Sequence, residues 1–230
     1  MTYQLLSASG LDKRFGRDVA LDDAAIDLEA GEIVAILGPS GCGKSTLLHC
    51  LAAIIRPDAG EVRLDGERID RLPDHERTRL RREAFGFVFQ FNQLVPELTA
   101  IENAALPLML AGVRRAEAER RASGWLDRLG VADQAGKLVG SLSGGQAQRV
   151  AIARAVSHGP RIVFCDEPTG ALDSLAGDQV MDLLCDLASD GATAIVLVTH
   201  EPRVAARADR ELRMRDGAIG SATTLREVPA

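Results

Sequence analysis

The densest chemistry in this sequence is a run of consecutive residues, Gly38, Pro39, Ser40, Gly41, Cys42, Gly43, Lys44 and Ser45, followed by Thr46. The run fits the pattern G-x-x-x-x-G-K-[ST]. Glycines at this spacing let the backbone curl so that successive N–H groups point at one anion. A helix starting there adds the positive end of its dipole. Lys44 would reach the β- and γ-phosphates of ATP, and Ser45 would ligate Mg²⁺. A glycine-rich turn ahead of a helix is the plain structural alternative.

Asp166 and Glu167 follow the apolar run at residues 162–165. Two adjacent carboxylates at the carboxyl end of a buried strand can divide the labour: Asp166 for the Mg²⁺ shell, Glu167 as general base on the attacking water. An acidic cap on the next helix is the competing explanation. Ser143, Gly144, Gly145 and Gln146 form a second cluster. Serine with glutamine three residues on is a capping box. Two successive glycines weaken a helix start, however, and point to something approaching the backbone closely, as in a second phosphate-binding helix start. His200 ends a strand, where a structural role competes with a γ-phosphate contact. Gln90 closes the run 85–89 and is equally readable as a ligand for Mg²⁺ or water and as a solvated strand end.

Such side chains need a scaffold that brings them to one edge. Short Ile- and Val-rich runs at 32–37, 161–165 and 194–198 stop abruptly at glycine or polar residues, the pattern of strands buried in a parallel sheet. Helical patterns at 45–55, 175–189 and 202–208 alternate with them, which predicts an α/β core. Weaker strand signals lie at 4–9, 21–28 and 60–64, and Asp216-Gly217 between 211–215 and 218–220 predicts a hairpin. From about 98 to 158 there is no strand signal. Helices at 101–111, 115–129 and 144–156 read as a helical lobe set into the core. Residues 1–90 and 159–230 are then the α/β core with its β region, and about 91–158 the lobe, within a single domain.

The composition fits such a domain. Of 230 residues, 46% are hydrophobic and 26% charged, and with 3% aromatics the core must be mainly aliphatic. A net charge of −6 argues against a nucleic-acid partner held by bulk positive charge. The most apolar stretch, 104–113, is far shorter than the about 20 residues of a membrane span and contains Pro107. The first ten residues lack the basic start and apolar run of a signal peptide. Cys42, Cys50, Cys165 and Cys185 show no C-x-x-C spacing, so reduced thiols in a cytosolic protein are expected. Lys13, Lys44 and Lys137 are the only lysines, and arginine supplies the rest of the 27 basic residues, which makes Lys44 stand out. The arginines from Arg68 to Arg82, with Arg114, Arg115, Arg120 and Arg121, read as solvated helix faces.

In this order the elements resemble the ATP-binding subunit of an ABC transporter. The likeness covers essentially the whole chain. It rests on GPSGCGKST at 38–46, Gln90 as the Q-loop glutamine, the full LSGGQ at 142–146, IVFCDE at 162–167, Ala171-Leu172-Asp173 as the D-loop, and His200 as the switch histidine. Phe15 falls where that family stacks an aromatic, more often Tyr, on adenine. Ala147 stands where Gln or Glu is common. The resemblance implies a P-loop fold with an N-terminal antiparallel β region and an inserted helical lobe. It also implies a homodimer or paired cassette enclosing two ATPs head to tail. Ser143, Gly144, Gly145 and Gln146 would face the partner's ATP, and Asp173 would couple the two sites.

The lobe would pass the movement to an integral membrane permease, placing the chain in the cytoplasm against the inner face of the membrane. FQFNQLVP at 89–96, LTAIEN at 98–103 and EPTGALDS at 167–174 are similar to the branch serving macrolide export, lipoprotein release and bacitracin-type resistance, whose permeases are FtsX-like. Control of a cell-wall enzyme through such a partner is an alternative within the same likeness. A soluble ABC ATPase of DNA repair or translation usually carries two cassettes or a long coiled coil, and neither is seen. A small-molecule kinase would leave LSGGQ unexplained.

Overall fold

The computed structural model describes residues 4–90 and 93–225. Phe91 and Asn92, part of the branch likeness, lie outside them. In chain order the elements begin with strands β1 (Gln4–Phe15), β2 (Asp18–Glu29) and β3 (Ile33–Leu37), then helix α1 (Lys44–Leu51). Strands β4 (Ala59–Leu64) and β5 (Glu67–Arg68), helix α2 (Asp74–Ala84) and strand β6 (Phe85–Val88) follow. Three helices come next, α3 (Ala100–Leu110), α4 (Arg115–Arg128) and α5 (Gly144–Val156). The chain closes with β7 (Ile162–Asp166), α6 (Ser174–Ser189), β8 (Ala194–Thr199), α7 (Pro202–Ala205), β9 (Arg210–Arg215) and β10 (Ala218–Thr224).

Two sheets result. One is antiparallel, in the order β2-β1-β4-β5; the other runs β10-β9-β3-β8-β7-β6. Within the second sheet β6, β7, β8, β3 and β9 pair in parallel, and β10 closes an antiparallel hairpin on β9. The central strands are buried on both faces, and their side chains alternate between two cores as a period of two requires. Val34, Ile36, Phe164, Val196 and Val198 join Leu47, Leu48 and Leu51 of α1 and the antiparallel sheet. Ile33, Ala35, Val163, Cys165, Ile195 and Leu197 face α3, α5 and α6. The P-loop α/β fold with its antiparallel region is thus in place.

Several boundaries moved for local reasons. The first helix stops at Leu51 rather than reaching Ile55, because Ala53 takes a left-handed φ of 52°. The N–H groups of Ile54 and Ile55 then both turn back to the His49 carbonyl. β1 continues to Phe15, well past the expected segment 4–9, and register shifts after Ala8 and Leu11 break the strict in-out alternation of its second half. The last expected helix is cut to Pro202–Ala205. Helix α2 carries much of the arginine-rich stretch and buries only Ala84 outright; Arg79 and Arg82 meet solvent as expected, but Arg77 and Arg81 turn inward and both donate to the Ala53 carbonyl. No described helix is long and apolar enough to cross a membrane.

Candidate active site

The phosphate loop leaves β3 at Gly38 and enters α1 at Lys44. Gly41 and Gly43 hold φ values of 79° and 106°, outside the range open to ordinary side chains. Gly43 caps α1 without any side-chain bond, so the first-turn N–H groups stay open to an external anion. Crowding imposes glycine as well. A side chain on Gly38 would begin 2.3 Å from the Met214 carbonyl of β9, and one on Gly43 2.1 Å from the Ala20 carbonyl of β2. The hairpin turn braces the loop further: Gly217 N–H donates to the Cys42 carbonyl at 3.0 Å, and Asp22 N–H to Gly217 at 3.0 Å. Cys42 itself is buried, at 7% exposure.

Lys44 is buried, and its ammonium donates to the carbonyls of Gly38 at 2.8 Å and Pro39 at 2.9 Å. The lysine therefore curls over its own loop. Ser45 Oγ donates to Asp166 Oδ2 at 2.7 Å, which joins the start of α1 to the end of β7. These are two hard oxygen donors beside an anion-binding loop.

Glu167 continues from Asp166 with a φ of 52°, rare for a residue with a side chain. Its N–H extends the β7–β8 pairing by donating to Val198 at 2.9 Å. Both carboxylate oxygens are engaged. His200 Nδ1 lies 2.6 Å from Oε1, and Thr199 Oγ1 donates to Oε2 at 3.3 Å. The hydrogen bond to Glu167, then its negative charge, raises the His200 pKa above the ordinary 6.5. Thr199 also accepts from Glu201 N–H at 3.1 Å, and Thr169 Oγ1 donates to Glu201 at 3.4 Å.

Gln90 follows β6, whose Val88 pairs with Cys165, so it is exposed at the same edge as Asp166. Phe15 ends β1 with 49% of its surface open, and Lys13 Nζ stands 5.6 Å from its ring centre. Ser143 and Gln146 close a reciprocal capping box on α5, so the structural reading of that motif is realised, while Ser143 and Gly144 stay exposed. Asp173 caps α6 by accepting from Ala176 N–H at 2.9 Å. The ends of β3, β7 and β8 thus gather Lys44, Ser45, Asp166, Glu167 and His200. Ser143, Gly144, Gly145 and Gln146 stand at the start of α5, and Phe15 belongs to the antiparallel sheet.

Two polar residues in this network carried no sequence signal. Thr199 looks like the last residue of a strand. Gln148, 1% exposed, donates its amide to the Pro168 carbonyl at 3.0 Å. A helical period marks position 148 as buried, yet nothing in the sequence names its partner.

Elsewhere, an apolar groove runs between β6 and α3, with Ile54, Phe87, Phe89 and Leu110 in its walls and Arg81 and Arg82 at its edge. In its wall Phe89 stacks on Phe87 at 5.6 Å, and Phe87 in turn on Phe164 at 5.8 Å.

The family model described as ABC transporter matches residues 21–170. A lipoprotein-releasing system ATP-binding protein LolD from Paramagnetospirillum magneticum is 48% identical over 86% of this chain and 88% of its own length. The macrolide export ATP-binding/permease protein MacB of Rhodopseudomonas palustris is 46% identical over 87% of this chain, which spans 30% of that protein. Among solved structures, a dimeric post-hydrolysis state of the ATP-binding cassette MJ0796 bound to ADP and Pi superposes with a TM-score of 0.93. It is 37% identical, over 97% of this chain and all of that one.

Proposed function

The chain belongs to the ABC transporter family as an ATP-binding, ATP-hydrolysing subunit, and from that premise we propose that two copies, or one copy and a paired cassette, close head to tail on two ATPs to drive a membrane permease. Residues 1–90 and 159–230 act as the α/β core and about 91–158 as the helical lobe. The loop from Gly38 to Thr46 wraps the phosphates, and Lys44 leaves the Gly38 and Pro39 carbonyls for phosphate oxygens. Phe15 offers its open face to adenine. The exposed start of α5, Ser143 to Gln146, addresses the ATP held by the partner, and Asp173 lies beside the second site.

Ser45 and Asp166 suit Mg²⁺, which takes one or two protein oxygens and leaves its other positions to water and phosphate. When bound, the ion would neutralise charge on the β- and γ-phosphates, with Gln90 beside it. Glu167 takes the proton of the attacking water, and His200 is freed to contact the γ-phosphate.

The observation that carries this reading is the Glu167 carboxylate. It sits one residue beyond Asp166, yet both its oxygens are occupied by His200 and Thr199. The separated chain therefore holds its base against His200, and assembly around ATP must free the histidine while Thr199 keeps the carboxylate aimed. Replacing Glu167 with Gln should preserve ATP binding, nearly abolish hydrolysis and leave an ATP-dependent dimer on size-exclusion chromatography. Hydrolysis at the wild-type rate would overturn the assignment.

The permease, of the FtsX-like kind, would dock a cytoplasmic segment in the groove beside β6, holding this chain against the membrane. The apolar walls suit an apolar helix face, and Arg81 and Arg82 suit acidic residues flanking it. Leu110→Glu and Ile54→Asp should lose the co-purifying membrane protein while basal hydrolysis continues. Retention of the partner by both variants would exclude this groove.

A further inference from the structure

Helix α5 touches the segment after Glu167 along one face. The amide of Gln148 donates to the Pro168 carbonyl, the first peptide oxygen beyond the general base. Three residues earlier on the same face, a side chain on Gly145 would meet Leu172 at 3.3 Å and the Ala171 carbonyl at 3.5 Å. The helix whose exposed tip is Ser143 and Gly144 is thus bonded to one end of the loop 168–172 and lies close against the other.

Gln148 makes a costly choice for packing alone. It is 1% exposed, and its Oε1 is buried without a hydrogen-bond partner. A buried unpaired acceptor destabilises, and an apolar residue of the same length would avoid the loss. What the amide retains is the single bond to Pro168. That bond lies next to Glu167, whose φ of 52° persists only if the surroundings fix it. Over one and a half turns, from Ser143 to Gln148, the helix is a stiff rod of about 7 Å. A displacement of its tip is therefore delivered to the Pro168 peptide.

We infer that Gln148 is a positioning residue that links the two ATP sites: seating of Ser143–Gln146 on the partner's ATP shifts, through Gln148 and Pro168, the general base of this chain's own site. The inference rests on the head-to-tail dimer proposed above. It makes hydrolysis cooperative in ATP, because each site sets the base of the other.

The test uses Gln148→Met, which keeps the length and removes both polar atoms. ATP affinity and melting temperature should stay close to wild type. The kcat should fall roughly tenfold, the size of one orienting hydrogen bond, and the Hill coefficient for ATP should drop toward 1. A wild-type kcat and Hill coefficient would overturn the inference, as would a kcat loss accompanied by an equal loss of ATP affinity. Gln148→Glu supplies a second measurement. A buried acid stays protonated at low pH and can donate to the same carbonyl. Its kcat relative to wild type should rise as pH falls, and a flat ratio would count against the bond. The dimer itself is scored separately, by ATP-dependent dimerisation of Glu167→Gln. Its failure removes the dimer reading whatever Gln148 does.

Discussion

His200 Nδ1 and Glu167 Oε1 stand 2.6 Å apart, although the imidazole is 69% exposed and the carboxylate only 11%. A histidine so placed keeps its proton because a fixed carboxylate accepts from it, in spite of what little burial it has. Its pKa therefore rises above 6.5. The bond contributes stability that is fully present below the unfolded value and is lost as pH rises through the raised folded value. In nucleotide-free protein the His200 proton resonances should titrate above pH 6.5, and in Glu167→Gln the midpoint should move down. Identical midpoints in the two proteins would show that Glu167 does not set the histidine.

Thr199 caps the other oxygen of the same carboxylate and is wholly buried. Thr199→Val should keep ATP affinity and lower kcat roughly tenfold, the scale of one hydrogen bond to a charged group. Thr199→Ser, which keeps the hydroxyl, should restore most of it. Steady-state kinetics on the pair decide the point, since wild-type turnover in Thr199→Val with a loss in Thr199→Ser would mean the methyl matters and the hydroxyl does not.

Lys44 has a place to go when nucleotide arrives, because its two loop carbonyls are replaceable by phosphate oxygens. Lys44→Ala should weaken ATP binding by about 100-fold, the scale of losing one member of a desolvated charge pair. Isothermal titration with ATP measures this directly, and an affinity within a few-fold of wild type would remove Lys44 from the site.

The glycines of the phosphate loop serve the scaffold as well as the ligand. Gly43→Ala should cost about 2–4 kcal/mol in urea unfolding without any nucleotide, since it combines a forbidden φ with a backbone collision at Ala20. Gly41 also has a positive φ but has open space around it, so Gly41→Ala should cost less. Equal costs would mean that strain alone, and not crowding, fixes the loop.

Phe164, fully buried, packs edge-on to Phe85 at 5.2 Å and stacks with Phe87. Phe164→Ala should destabilise by about 3–5 kcal/mol. Phe89→Ala, at the half-buried end of the same stack, should cost clearly less. Chemical denaturation ranks the two, and the reverse order would contradict the described core.

Much of this was legible along the chain because it is local. β3, β7 and β8 are covered on both faces, so each reads as an apolar run stopping at Gly38, Asp166 and Thr199. The α5 capping box is contained within Ser143–Gln146. The bulged half of β1 was not legible, since its register shifts send side chains out of alternation. The short β5 is held by pairing with β4 rather than by its own residues. The contacts of Thr199 with Glu167 and of Gln148 with Pro168 join residues far apart in sequence, and neither side chain differs in type from an ordinary strand end or helix position.

The phosphate loop is made early in the chain, but it leans on Met214 and Gly217, near the far end. On a ribosome the loop and α1 emerge long before β9 and the hairpin that shore them up. A nascent or truncated chain thus carries the motif without a finished cradle. Ligand stabilisation reaches only the state that binds, so ATP should favour molecules in which β9 and its hairpin have closed on the loop over those in which they have not.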